Sequence, residues 1–136
     1  MAEMTDEDHA EEFEFGEPAE ASEADRVIEL VAMDDFTYTP ATIEVAVGEV
    51  VTFRATNEGV IAHDFTLGDS HVQDEHEAEM AEMAGEMMHD EPNAFGLEPG
   101  ETKEVTWRFT EPRELQIGCH VPGHHAAGMK AEITLT

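Results

Sequence analysis

The chain has 136 residues, 40% of them hydrophobic, one cysteine, and 33 Asp and Glu against 6 Lys and Arg, a formal charge of −27. That length supports one domain around one core, and that charge excludes electrostatic docking on nucleic acid or anionic lipid, which both need a cationic face. No run approaches the about 18–20 apolar residues of a transmembrane helix, and Met1 leads into an acidic tract instead of a basic one, so the chain reads as a mature or trimmed form.

Residues 1–25 combine low hydrophobicity, high charge and no period, which predicts a disordered acidic tail with His9 simply solvated. From Arg26 the texture changes to short β-rich runs. RVIELVAM (26–33) alternates, FTYTPATIEVAVGE (36–49) is broken at Pro40, and VVTFRATN (50–57) puts Val51, Phe53 and Ala55 on one face. VIAHDFTLG (60–68), KEVTWRFT (103–110), RELQIGCH (113–120) and MKAEITLT (129–136) complete seven runs, with turn chemistry at LEPGET and TEP. The pattern predicts an all-β, antiparallel sandwich or barrel with Trp107 and Phe109 in its core.

Residues 69–96 interrupt the strands and are too long for a hairpin loop. Their Glu, Ala and Met content predicts a helix, with Ser70 as N-cap and Pro92 as stop. His76, Met80, Met83 and Met87 fall on one helical face. Two readings stay open for this insert. The methionines pack over the sandwich as gap-fillers, or some of Met80, Met83, Met87, Met88, His71, His76 and His89 form a second, soft Cu(I) site.

The acids are unevenly placed. Residues 1–25 hold eleven and residues 71–92 eight, neither with any Lys or Arg, and the rest carries fourteen against all six bases. The two tracts suit cation capture or a basic partner. The acidity of the body as well, with lysine reduced to Lys103 and Lys130, favours adaptation to high salt, a halophilic source.

The chemistry concentrates in GCHVPGHHAAGMK, residues 118–130. His124 lies five residues after Cys119, and Met129 five after that, around a turn at Pro122-Gly123. Cys119 ends one predicted strand and Met129 starts the next, so a short loop can bring thiolate, imidazole and thioether to a common point. That donor set suits copper, and a trigonal His₂Cys group with a weak axial Met is the blue-copper arrangement. A second histidine must come from elsewhere, and His63, set among apolar Ile61, Ala62 and Phe65, is the candidate. Taken alone, a cysteine is most often a buried small hydrophobe; the combination argues for a metal. A cysteine-protease reading has no oxyanion-hole or substrate-pocket signal behind it.

CHVPGHHAAGM with the upstream HDF resembles the single-domain cupredoxins, the family of plastocyanin, azurin and auracyanin, across residues 26–136. The C-x₄-H-x₄-M spacing is similar to auracyanin's. The insert followed by HDEPNAFGLEPGET is similar to a bacterial and archaeal subgroup associated with copper tolerance. The resemblance implies a Greek-key sandwich or barrel of about seven to eight strands. It implies one copper, with His63, Cys119 and His124 equatorial and Met129 axial. It also implies a periplasmic or cell-surface location, with the acidic tail a spacer after a removed signal or lipid anchor.

His120 follows the cysteine, so its side chain should point away from it; we expect it to meet Asp64 as an outer pair tying the two ligand segments together. His125 is either a rim where a redox partner docks or plain surface. A saturated copper leaves no position for a substrate, so no enzyme activity and no small-molecule substrate are expected. The expected function is one-electron carriage by a monomer, through an exposed histidine edge, to redox partner proteins. The alternative is an extracytoplasmic copper tolerance or buffering protein serving copper-handling partners. A detached domain of a multicopper enzyme fits poorly, since such enzymes build further copper sites between domains.

Overall fold

Alternation sets the faces of the strands. The computed structural model describes residues 15–82, 92–111, 114–121, 123–125 and 127–135. Its strands are β1 (Gly16–Pro18), β2 (Arg26–Met33), β3 (Thr37–Thr39), β4 (Thr42–Val45), β5 (Val50–Asn57), β6 (His63–Gly68), β7 (Ala94–Leu97), β8 (Thr102–Phe109), β9 (Leu115–Gly118) and β10 (Lys130–Leu135). One α-helix, α1 (Ser70–Glu82), lies between β6 and β7. In β5, Val51, Phe53 and Ala55 are buried as the alternation requires, while Arg54 on the opposite face bonds Glu29 and Glu104 of the neighbouring strands.

Two sheets form the sandwich, in the orders β1-β8-β5-β2-β3 and β4-β10-β9-β6-β7. Between them lie Leu30, Phe53, Phe65, Leu67, Trp107, Phe109, Leu115 and Ile117, all buried. Phe53 of one sheet meets Phe65 of the other at 6.0 Å between ring centroids. Pro40 breaks the 36–49 run as expected, so that β3 joins one sheet and β4 the other.

Three expectations need correction. The sheets are mixed: β2 pairs with β5 and β4 with β10 in parallel, because chain crossings between sheets bring non-consecutive strands side by side. The acidic tail does not extend to residue 25. Phe15 is buried, its ring stacked on Trp107 at 5.2 Å, and β1 pairs with β8. Gly16 allows this approach, since a Cβ there would stand 2.0 Å from the Arg108 carbonyl oxygen. Residues 1–14 lie outside the described residues. Finally, the insert closes earlier than residue 96, because Ala94–Leu97 is a buried strand paired with β6.

The helix forms over Ser70–Glu82, within the expected span, with a different cap; the approach to the expected stop at Pro92 lies outside the described residues. Asp69 Oδ1 accepts from the Val72 N–H at 3.1 Å, so Asp69 is the N-cap and Ser70 the first helical residue. The inward residues of α1 are Gln73, His76 and Met80. Met80 packs with Ala94 and Val121.

Candidate metal centre

One end of the sandwich gathers the start of β6, the end of β9, the β9–β10 loop and the turn between β2 and β3. His63 opens β6, Cys119 follows β9, and His124 sits on the loop. Their donor atoms converge: His63 Nδ1 lies 3.2 Å from His124 Nδ1, and Cys119 Sγ lies 4.0 Å and 3.4 Å from those two nitrogens. A metal ion bonded to two imidazole nitrogens and one sulfur at about 2.0–2.3 Å spreads trigonal donors to about 3.5–3.8 Å. The three residues therefore fit one ion.

The surroundings hold each donor in place. His63 Nε2 bonds Asp34 Oδ1 at 3.0 Å, which puts the proton on Nε2 and leaves the Nδ1 lone pair facing inward. Asp34 is itself fixed by the N–H groups of Val60 at 2.8 Å and Ile61 at 3.4 Å, and these bonds, Val60's foremost, hold its carboxyl below the usual range. The Asp64 N–H donates to Cys119 Sγ at 3.4 Å, and the Asp64 carbonyl accepts from the buried Tyr38 hydroxyl, tying β3 to β6. The loop closes through Cys119 N–H to the Met129 carbonyl at 3.2 Å and Met129 N–H to the His124 carbonyl at 3.1 Å. Met129 is wholly buried. Gly123 (φ 89°) and Gly128 (φ 102°) supply the left-handed turns of the loop.

Burial decides the electrostatics. It pushes the Cys119 thiol well above its ordinary value, with the Asp64 charge adding to this, and it lowers His124. A metal taken up here therefore displaces a thiol proton, while His124 is ready as a neutral ligand. His124 is only 8% exposed, because the Phe36 ring lies 4.7 Å from it. The expected histidine edge is correspondingly narrow. Phe36 holds that position at φ 66°, a left-handed conformation that costs a bulky residue about 1–3 kcal/mol.

The copper-binding model of the plastocyanin/azurin family matches residues 26–136. The chain belongs to that family. This cupredoxin is 38% identical to the copper-resistant cuproprotein CopI of Pseudomonas aeruginosa, over 89% of this chain and 82% of that one. It is 35% identical to the CopI of Rubrivivax gelatinosus, over 93% and 76%. The crystal structure of reduced auracyanin from Roseiflexus castenholzii superposes with a TM-score of 0.71 at 23% identity, covering 83% of this chain and 98% of that one, a likeness of fold. The cofactor is copper, and the cupredoxin site is of type 1.

Other predicted residues fall in different places. The tie between Asp64 and His120 exists, but through the backbone: the His120 N–H donates to Asp64 Oδ1 at 2.9 Å. The His120 side chain turns instead to α1, bonding Glu77 at 2.7 Å and Gln73 at 2.6 Å. Alternation alone sends it away from Cys119, and away from Cys119 is where the helix lies. His125 stacks on His120 at 4.6 Å and is half-buried, so it is not plain surface. His76 lies 6.4 Å from the His120 ring, and His71 is exposed beside Glu75. Met83, Met87, Met88 and His89 lie outside the described residues. Asp34, Phe36, Gln73 and Glu77 carried no signal in the sequence beyond an acid, an aromatic or an amide in ordinary company.

Proposed function

We propose that this protein would hold one copper through His63, Cys119 and His124, with the buried Met129 as a fourth ligand, and would exchange single electrons in the service of copper resistance outside the cytoplasm. The observation that carries the reading is the convergence of two inward-facing Nδ1 atoms and a buried sulfur within 3.2–4.0 Å. Bound copper supplies a one-electron couple between Cu(I) and Cu(II). The chain does the rest. Asp34 and Asp64 hold His63 and the sulfur in one geometry, so little reorganisation accompanies electron exchange. Phe36 and the buried loop exclude water, and His124 provides the route outward.

No turnover chemistry is assigned, because with His63, Cys119, His124 and Met129 as its ligands a copper ion would keep no position open for a substrate. The CopI relatives are copper-resistant cuproproteins, which supports the resistance role. No helix among the described residues is long and apolar enough to cross a membrane. Redox or copper-handling proteins are the partners in this reading. The test is visible absorption after adding Cu(II) to the metal-free protein. An intense thiolate-to-copper band that bleaches on reduction and returns on oxidation supports it; absence of the band, or its persistence in Cys119→Ser, refutes it.

A further inference from the structure

A second convergence of donors lies between α1 and the β9–β10 loop. His120 Nδ1 is 2.7 Å from Glu77 Oε1, and one ligand atom each of Glu77, His120 and His125 lie within 4.8 Å of one another. The two imidazoles stack with 23° between their planes.

The hydrogen bonds around Gln73 settle which nitrogen of His120 carries the proton. Gln73 Nε2 donates to the carbonyls of Thr66 at 3.0 Å, Gly68 at 3.2 Å and Gln116 at 3.1 Å, so the amide cannot be turned round. The atom facing His120 Nε2 at 2.6 Å is therefore Gln73 Oε1, which only accepts. Nε2 therefore carries a hydrogen, and Nδ1 is the ring atom that faces the Glu77 carboxylate oxygen at 2.7 Å. A cation between the two, a proton or a metal ion, makes so close an approach favourable. A third donor is ready: His125 Nε2 is buried and has no hydrogen-bond partner among the described residues. Gly118 makes room for the two imidazoles and the Gln73 amide, since a Cβ there would stand 2.4 Å from Gln73 Oε1, 3.1 Å from His125 Cδ2 and 3.2 Å from His120 Nε2.

We propose that Glu77, His120 and His125 form a second metal site, for a divalent first-row cation and Cu(II) foremost. Two imidazoles and a carboxylate are a harder set than thiolate and thioether, so the site suits Cu(II) or Zn(II) and discriminates against Cu(I); the general order of affinities places Cu(II) first. The Glu77 side chain is 44% exposed, which leaves the site open on the helix side for ion exchange. His120 and His125 directly follow Cys119 and His124 in the chain, so the second ion sits beside the thiolate centre without sharing its ligands. The site uses none of the insert's methionines. It stands whether or not the thiolate centre works as proposed above.

The full chain carrying one copper is titrated with further Cu(II) and read by electron paramagnetic resonance. The expected result is a second signal without thiolate character, coupled to two nitrogens and saturating at one added equivalent. Glu77→Gln and His125→Asn each weaken it at least tenfold, while an unchanged thiolate-to-copper band certifies the fold. Cys119→Ser loses the band and keeps the second signal. A wild-type chain with no band but with the second signal refutes the thiolate reading alone. The second site is overturned if binding stops at one copper, which leaves only a proton between His120 and Glu77. It is equally overturned if the second signal survives both substitutions, which places the extra ion on the acidic surface or the insert.

Discussion

Asp34 does two jobs with one carboxylate. Oδ1 takes the proton-bearing nitrogen of His63 at 3.0 Å, while Oδ2 caps the Val60 N–H at 2.8 Å. Removing such an outer partner typically costs 10–100-fold in metal affinity. Asp34→Ala is therefore expected to weaken copper binding by about that factor in a chelator competition, with the thiolate band still reached at saturating copper; equal affinities would show that His63 is oriented by packing alone. Asp64 behaves differently, being wholly buried with Oδ2 lacking a partner among the described residues. Burial, opposed by the His120 N–H and aided by the Glu77 charge, raises its pKa from 3.8 to about 7. Since the folded value lies above the unfolded one, its favourable contribution is complete below about pH 4 and is lost as pH rises through about 7. In the metal-free protein this slope is on the order of 2–4 kcal/mol. Asp64→Asn keeps the acceptor for His120 and cannot ionise, so its melting temperature, followed from pH 4 to 8, is expected to fall less steeply than that of the wild type.

At the scale of elements, the first strand and the helix both depend on contacts made far along the chain. Phe15 stacks on Trp107, and the β1 register runs Gly16 to Phe109. Phe15→Ala removes a fully buried ring and is expected to destabilise the protein by about 3–5 kcal/mol, read by chemical denaturation with Trp107 fluorescence as the probe. A change below about 1 kcal/mol would mean that β1 contributes little to the sandwich. This strand also shows what was legible in the sequence. The long alternating strands, the helix and the Cys119–His124–Met129 spacing could be read, because each pattern is local or matches a metal's known preference. His63 stood out as an imidazole in apolar company. Phe15 did not, since the short FEF alternation of Phe13 and Phe15 is lost in an acidic tract, and its partner Trp107 is more than ninety residues away. The helix misled for a related reason. Its methionines are conspicuous, yet the residues that bond His120 are Gln73 and Glu77, ordinary in a Glu-rich helix until His120 is placed opposite them.

Across the whole molecule, the excess of acid sets the response to salt. Every Arg and Lys among the described residues with a side chain near an acid is already engaged: Arg26 with Glu49, Arg54 with Glu29 and Glu104, Arg108 with Glu17 and Glu23, Lys103 with Glu101, Lys130 with Glu132. Exposed pairs of this kind contribute about 0–1 kcal/mol each and weaken in salt. Against them stands a chain of 33 acids and 6 bases, so most carboxylates have no basic partner to pair with. Raising salt from 0.1 M to 1 M shortens the screening length from about 10 Å to about 3 Å, which suppresses the long-range repulsion more than the short contacts. Repulsion should win, and the folded state should gain. Even ~1 kcal/mol would raise the melting temperature of a domain of this size by about 3–6 °C. Potassium chloride at pH 7 is therefore expected to stabilise the protein by at least that much. The control is pH itself. Near the isoelectric point of about 4.2 the net charge vanishes, and so should the benefit of salt. If the gain were the same at both pH values, it would come from salting-out of apolar surface, and the acidity would serve the capture of cations or a basic partner instead of life in brine.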